Sequence, residues 1–272
     1  MHFFLNSKYY FKTFSYYCYF INITIVLLLF IIDFNGTQME LTYIYHSGFI
    51  LECESCLIII DYYKDVNGLV SDIISKYTNC IYFLSSHSHS DHFNLEIFAW
   101  KDYKNVKYIL SKDILDENPS MKGSAIFMEK FDSYSDENIT IKAFGSTDIG
   151  ISFLIDVDGK SVFHAGDLNN WHWNEESTPD EIFEAELAYS QELDLLKKGT
   201  KHVNVAMFPV DPRLGKDYMK GAEQFIDTIK VDLFVPMHFD FEYAKANAFS
   251  KYVEDIGGVF WKITGEGQSV LV

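Results

Sequence analysis

Positive charge is what this sequence has least of. Its 272 residues include 22 lysines and arginines against 39 aspartates and glutamates, a formal net charge of −17. Arg213 is the single arginine. No lysine- or arginine-rich run offers a basic groove, so a phosphate backbone is repelled and no nucleic-acid partner is expected. Cysteine is also sparse: Cys18, Cys53, Cys56 and Cys80 do not make the framework of a small secreted disulfide protein. Cys53-Glu-Ser-Cys56 has ligand-like spacing, but no second pair completes a four-thiolate site. Two free thiols at a hairpin turn or strand start is the plain reading, a redox or metal role the alternative. The chain also lacks an internal repeat, a long linker after residue 38 and a Ser/His/Asp nucleophile motif.

What is present is a large apolar fraction, 48% of the residues, enough for one large layered core or two small ones. Residues 1–38 stand apart. Tyr16 to Ile32 is almost wholly apolar, roughly 17 residues and so at the short limit of a membrane span. Lysines precede it and Asp33 follows, which would leave the N-terminus in the cytoplasm and the domain outside. No small-x-small cleavage site follows. The segment reads as a membrane anchor, as an upstream extension before a start at Met39, or as a buried apolar helix. The corresponding expectations are a cytoplasmic protein or one anchored through residues 16–32, with 39–272 as the functional domain. Oligomeric state is not legible.

From Met39 the pattern is strand-rich and then alternates with helices. Leu41–Tyr45, Phe49–Glu52, Leu57–Ile60 and Cys80–Leu84 read as strands, with a helix over Asn67–Lys76. Val106–Leu110, Ile139–Phe144, Ile151–Asp156 and Ser161–Phe163 follow, and Asp158-Gly159 is a hairpin turn. Thr178, Pro179 and Glu181 make a capping box and first turn for a long helix ending at Lys197-Lys198. Val203–Phe208 and Val231–Val235 are strands, Asp217–Lys230 and Phe241–Ile256 helices, and Val259–Ile263 and Gln268–Val272 closing strands. Many strands with helices interspersed imply layered sheets covered by helices, an α+β architecture.

Into this frame falls Ser86-His87-Ser88-His89-Ser90-Asp91-His92, three histidines and an aspartate within six residues at the end of an apolar strand. His87 and His89 alternate in an extended segment, so both can face one side. A catalytic metal takes about three protein ligands and keeps one position for water, so four donors this close suggest room for two ions. Asp167 after Gly166, and His238 in Pro236-Met237-His238, also sit at strand exits, where a site served by several strands would gather them.

The run Ser86–His92 resembles the HxHxDH signature of the metallo-β-lactamase superfamily; His87, His89, Asp91 and His92 match it without gaps. His164-Ala-Gly-Asp167 resembles the motif that supplies a bridging carboxylate, and Pro236-Met237-His238 the final histidine motif. Tyr45-His46-Ser47-Gly48, with a strand ending at Asp61, is similar to the opening of the ascorbate-phosphate-lactonase-like, zinc-dependent hydrolase branch. The resemblance runs from Met39 to the end. It implies a four-layer αββα sandwich with a metal site at one edge between the sheets. The cofactor it implies is one or two Zn2+ ions, with Mn2+ or Fe2+ as alternatives.

One departure from the family pattern stands out. A further histidine belongs near residues 145–150, yet none occurs between His92 and His164. Of Ser146, Thr147 and Asp148, only the carboxylate of Asp148 is a good ligand. The expected ligands are His87, His89, Asp91, His92, Asp148, Asp167 and His238: the Asp91/His92/His238 half is well supplied with Asp167, while the His87/His89 half is weak, uses Asp148, or is filled from elsewhere. His46 is expected to hydrogen-bond substrate or support a ligand from behind. His164 reads as a packed or supporting histidine and His202 as structural. Trp171, His172 and Trp173 are expected to line a substrate pocket, or else to be ordinary buried aromatics. Arg213 either holds a substrate carboxylate or phosphate bidentately or holds Asp211. The functional expectation is a zinc-dependent hydrolase in which metal-activated water attacks a small ester, lactone or phosphoester, assisted by Asp91, His46 and Arg213. The alternative is a noncatalytic metal-binding protein that has lost one ligand.

Overall fold

The computed structural model describes residues 39–103 and 105–272. Its strands are β1 Glu40–Tyr45, β2 Gly48–Glu52, β3 Cys56–Ile60, β4 Cys80–Ser85, β5 Val106–Ser111, β6 Ile126–Met128, β7 Ser133–Ser135, β8 Ile139–Gly145, β9 Ile151–Val157, β10 Lys160–His164, β11 His202–Pro209, β12 Lys230–Met237, β13 Val259–Phe260 and β14 Ser269–Leu271. The helices are α1 Leu69–Lys76, α2 Lys112–Glu117, α3 Pro179–Gly199, α4 Lys220–Thr228, α5 Tyr243–Ala248 and α6 Ser250–Asp255. They form two seven-stranded mixed sheets flanked by helices, ordered β14-β1-β2-β3-β4-β5-β6 and β7-β8-β9-β10-β11-β12-β13, the expected αββα sandwich.

The side-chain alternation explains the layers. In β3 and β4, Cys56, Ile58, Ile60, Cys80, Tyr82 and Leu84 enter the larger core, which also takes in residues of the second sheet. Leu57, Ile59, Ile81 and Phe83 enter a second core with Val70 and Ile74 of α1 and Ile114 of α2. Both faces of these parallel strands are covered, so they read as unbroken apolar runs. Each such side chain, fully withdrawn from water, contributes about 1.5–3 kcal/mol before entropy is counted. On the second sheet, Phe225 of α4 stacks on Phe208 at 4.4 Å and on Phe163 at 5.4 Å.

Both sheets follow one pairing scheme. Around β14, β1, β2 and β3 the contacts are antiparallel, then β3 to β6 are parallel. Around β7, β8, β9 and β10 they are antiparallel, then β10 to β13 are parallel. The β1–β2 and β8–β9 hairpins are thus counterparts, as are the exits of β3 and β10, β4 and β11, and β5 and β12. These loops carry every candidate donor.

Local departures from the expected elements have identifiable causes. The Thr178 capping box forms, with Glu181 Oε2 accepting from Thr178 N at 2.8 Å. The helix expected over Asp217–Lys230 is shorter, α4 over Lys220–Thr228, and follows a 3-10 turn, Pro212–Asp217. The helix expected over Phe241–Ile256 divides at Phe249, whose N–H bonds the Ala246 carbonyl three residues back while its ring packs on Phe234 at 5.0 Å. The last-but-one strand shortens to Val259–Phe260. Cys53, Cys56 and Cys80 are buried free thiols, with Cys56 and Cys80 paired in the β3–β4 register.

The expectation of a transmembrane segment is corrected: among the described residues no helix is long and apolar enough to cross a membrane. The longest of them, α3, carries Asp180, Glu181, Lys197 and Lys198 in its terminal turns. Residues 16–32, on which that expectation fell, lie outside the described residues, as does the whole of 1–38.

Candidate metal centre

Two close approaches hold the sheets together at the edge where the donors meet. Gly150 follows the Asp148 turn with φ 75°, and a Cβ there would lie 2.1 Å from the Ser86 carbonyl oxygen. Gly166 has φ 53°, and its Cβ would lie 2.8 Å from Ser86 Cβ. Only glycine permits either contact. Ile151 N–H then bonds the Ser86 carbonyl at 2.9 Å. The loop after β4 is thereby pressed against the loops of β8–β9 and β10.

Asp61 organises that β4 loop from beneath. It ends the apolar strand β3 fully buried, accepts from Ser86 N and Ser86 Oγ at 2.7 Å each, and accepts from His92 Nδ1 at 2.7 Å. Ser86 Oγ, its proton given to Asp61, is left to accept from His87 Nδ1 at 2.9 Å. Burial opposes ionisation of Asp61, but the neighbouring imidazoles of His164 and His92 outweigh it and keep the carboxyl below its ordinary range. An ionised carboxylate can only accept, so His92 carries its proton on Nδ1 and turns Nε2 toward the site.

The same arrangement recurs twice. His238 Nδ1 is 2.9 Å from Asp211 Oδ2, and His46 Nδ1 is 2.9 Å from Asp240 Oδ1. Asp211 is itself gripped by Arg213 Nε at 2.9 Å and Nη2 at 2.6 Å. Burial works against its ionisation, and the bonds from His238 and Arg213 overcome this, setting its pKa at about 2. His46, Asp61, His238 and Asp240 all adopt left-handed backbone, with φ between 47° and 64°. Such strain persists only where the surroundings over-determine it, as at functional sites.

The outward atoms of these groups converge. His92 Nε2 lies 3.1 Å and His238 Nε2 3.3 Å from Asp167 Oδ1, while His87 Nε2 lies 3.5 Å from Asp167 Oδ2. His46 Nε2 is 3.4 Å from Asp91 Oδ2. His89 Nδ1 is 3.7 Å from Asp148 Oδ2 and 3.1 Å from His87 Nε2. Three donor groups result, each with ligand atoms mutually within 4.8 Å: His46/Asp91/His92/His238, His87/His92/Asp167 and His89/Asp148/Asp167. Five of the candidate ligands expected from sequence are thus joined by His89 and Asp148, and also by His46.

These residues fit a divalent ion. His46 Nε2, His92 Nε2, His238 Nε2 and Asp167 Oδ1 are buried with no hydrogen-bond partner. Each such orphan costs about 1–3 kcal/mol unless something satisfies it, and cations held by these donor groups would do so. The electrostatics agree. Burial disfavours a charged His92, yet Asp167 and Asp61 outweigh burial and lift its pKa to about 10. The carboxylates therefore demand positive charge at this point. Asp167 sits well below the carboxylate range despite burial, held there by His238 and His92. Asp91 is held low by the neighbouring imidazole of His46. His87 is pushed down to about 4 by burial and by His92, so it offers a neutral nitrogen. Imidazole and carboxylate donors suit Zn2+, Fe2+ and Mn2+.

A cleft of about 340 Å³ opens onto the centre, lined by His89, Asp91, Asp148, Trp171, Trp173 and Arg213, with Asp167 and His238 in its wall. Trp171 and Trp173 stack at 6.3 Å and 15°, and Trp171 Nε1 donates to the Asp167 carbonyl at 2.8 Å. His172 is not on this cleft. It is buried, accepts from Asn174 N at 3.1 Å and bonds the Asp217 carbonyl at 3.2 Å, so it braces the loop. His164 is buried too, bonding the Ser47 carbonyl across the sheets at 2.9 Å. His202 lies on a different depression, of about 760 Å³, at the opposite strand ends with Asp136 and Asp156; no donor group falls there among the described residues.

Sequence reasoning left Asp61, Asp211 and Asp240 out of the site. A charged residue closing the run Ile58-Ile59-Ile60 was a usable signal for Asp61. Asp240 had none, because its role depends on a turn that returns it to His46.

Comparison with known proteins fits this geometry. The family described as the beta-lactamase superfamily domain matches residues 40–238. A metallo hydrolase from the hyperthermophilic archaeon Ignicoccus hospitalis has a similar structure, with a TM-score of 0.61 and 19% identity over 87% of this chain and 99% of that one. The metallo-beta-lactamase fold protein YhfI from Bacillus subtilis aligns with a TM-score of 0.55 and 10% identity, over 87% of this chain and all (100%) of that one. CmlA, a diiron beta-hydroxylase from Streptomyces venezuelae, aligns with a TM-score of 0.59 and 14% identity, over 86% of this chain but 54% of its own. At these identities the likeness is one of fold.

Proposed function

We propose a hydrolytic function from one premise: this chain belongs to the beta-lactamase superfamily domain family. The proposed activity is metal-dependent hydrolysis of a small ester, lactone or phosphoester, with Zn2+ as the resident ion and Mn2+ or Fe2+ as alternatives. The observation that carries it is the convergence of four buried, unpartnered donor atoms, from His46, His92, His238 and Asp167, beside an open cleft. The ligands would be His87, His89, Asp91, His92, Asp148, Asp167 and His238, with Asp148 standing in for the missing histidine and Asp167 facing both halves. The ascorbate-phosphate-lactonase-like branch is the proposed subgroup, supported by the Tyr45–Gly48 turn and by Asp61.

A divalent ion held here lowers the pKa of water from about 15.7 toward 7 and polarises the bond under attack. The chain's own residues do the rest. Asp61 and Asp211 fix the Nδ1 protons of His92 and His238, so both rings present Nε2 in a set orientation. Asp91, ionised and facing the cleft, orients the attacking water. Arg213 clamps Asp211 through Nε and Nη2, and its half-exposed guanidinium lines the cleft, where it would offset charge developing on the substrate oxygen. Trp171 and Trp173 offer flat apolar surface for the rest of a small substrate.

The test pairs metal content with a substrate screen. Protein purified without added zinc should carry divalent ion and turn over at least one member of a panel of lactones, thioesters and phosphodiesters. His238→Ala should lose both. If His238→Ala keeps wild-type metal content and turnover, the hydrolase reading fails. Metal without turnover on every class would leave the noncatalytic metal-binding alternative standing in its place.

A further inference from the structure

His46 occupies the β1–β2 turn with φ 57°, and three bonds fix it. Its N–H donates to Tyr43 Oη at 2.9 Å, its carbonyl accepts the His238 N–H at 3.1 Å, and its Nδ1 is 2.9 Å from Asp240 Oδ1. The imidazole is 2% exposed and absent from the cleft lining, so it has no face for a substrate. Nε2 lies 3.4 Å from Asp91 Oδ2 without hydrogen-bonding to it, and has no other partner. The His46 and His238 rings are 4.2 Å apart, and both direct Nε2 to a point shared with Asp91 and His92.

We propose that His46 is a metal ligand, completing a four-donor site with Asp91, His92 and His238. The proposal rests on the metal-dependent reading above and deepens it. Each of its three imidazoles is backed by its own carboxylate, Asp240, Asp61 or Asp211, the arrangement that fixes the tautomer and raises the basicity of ligating histidines. With Asp167 Oδ1 also lying 3.1 Å from His92 Nε2 and 3.3 Å from His238 Nε2, this half offers an ion more buried protein donors than the other. This half is therefore the tightly held one. The exchangeable position falls to the His87/His89/Asp148/Asp167 side, whose His89 and Asp148 are half-exposed on the cleft. The topology supports the exchange of roles: His46 and Asp148 occupy counterpart hairpins of the two sheets, so each sheet contributes one hairpin donor.

The test uses the full chain stripped with a chelator and reloaded with Co2+ alone. Readouts are metal per chain, the rate of loss to competing chelator, and the visible absorption of the bound Co2+. Wild type should hold two ions, one of them slow to leave and with its own visible absorption. His46→Asn, chosen because asparagine tolerates left-handed backbone, should release that slow ion at least ~10-fold faster, the scale set by losing even a supporting contact, and its absorption should weaken. An unchanged rate and spectrum overturns the assignment of His46 while leaving the metal-dependent reading intact. A wild type that binds no ion sinks that reading instead. Should His46→Asn fail to fold, Asp240→Asn carries the test. It keeps the imidazole but removes its carboxylate support, so faster release is expected and unchanged release overturns the proposal.

Discussion

The two halves of the donor cluster are built to different standards. Around His46, His92 and His238 every imidazole is at most 4% exposed and has a carboxylate behind it. Around His89 and Asp148 the side chains are 46% and 45% exposed, and Asp148 is met only by weak, long contacts. The deep half is fixed by these bonds before any ligand arrives, while in the outer half His87 is held by Ser86 Oγ at 2.9 Å and His89 and Asp148 keep more freedom. Preorganised donors give affinity; donors with freedom left give exchange. A hydrolytic site of the kind proposed would draw on both.

The comparison breaks most severely at Asp167, whose two oxygens face both halves. Asp167→Ala is expected to lower metal affinity of the whole cluster by more than ~100-fold, above the range for supporting residues. Isothermal titration with Zn2+ measures this, and loss confined to one ion would show that Asp167 does not span the halves. Asp61→Asn comes next. It leaves the shape but frees His92 and Ser86, and ~10–100-fold weaker binding of the deep ion is expected from competition with a calibrated chelator. Because Ser86 also carries His87, a smaller loss in the outer half should accompany it. Asp148→Ala should reduce occupancy of the outer ion alone, by an amount below that of Asp61→Asn. Unchanged stoichiometry at limiting metal would remove Asp148 from the ligand set.

The smallest effect is on the metal-free protein. His92 has a pKa lifted from 6.5 to about 10 by Asp167 and Asp61 acting against burial. A raised imidazole pKa stabilises the fold fully below 6.5, and the contribution is lost as pH rises toward 10. Asp61, Asp167 and Asp211 have lowered pKa values, so their contribution is present above about 4, their ordinary range, and lost in acid. Metal-free protein should therefore melt highest between these limits and lose thermal stability from pH 6.5 upward. Bound metal displaces the His92 proton, so the loaded protein should show less of this alkaline decline. A melting temperature of the metal-free form that is flat from pH 6.5 to 10 would show that the deep half does not demand a cation.

Part of this was legible in the chain. The HxHxDH run, Asp167 and His238 are local patterns at strand exits, and the apolar runs of β3 and β4 announce a sheet covered on both faces. The asymmetry of supply between the halves was also readable, because it followed from a missing histidine. The supporting carboxylates were not. Asp61 lies 31 residues from His92, Asp211 27 from His238 and Asp240 194 from His46. Only sheet packing brings such pairs within bonding distance. Where His172 points was hidden for the same reason: its flanking tryptophans reach the cleft, while its own ring turns inward to Asp217.

What the sequence by itself determined is the chemistry available and the order in which it comes: imidazoles and carboxylates on strand exits, an acidic surface, one arginine. Those depend on residue type and on periods of two and of 3.6, which are local properties. What only the tertiary structure decided is which nitrogen of each imidazole is free, and toward what. His46 is the sharpest case. As a lone histidine in a turn it could serve substrate or scaffold. The closing of the two sheets gives its Nδ1 to Asp240, binds its backbone to His238 and leaves Nε2 facing Asp91 without a partner, because burial removes the water that would have satisfied it.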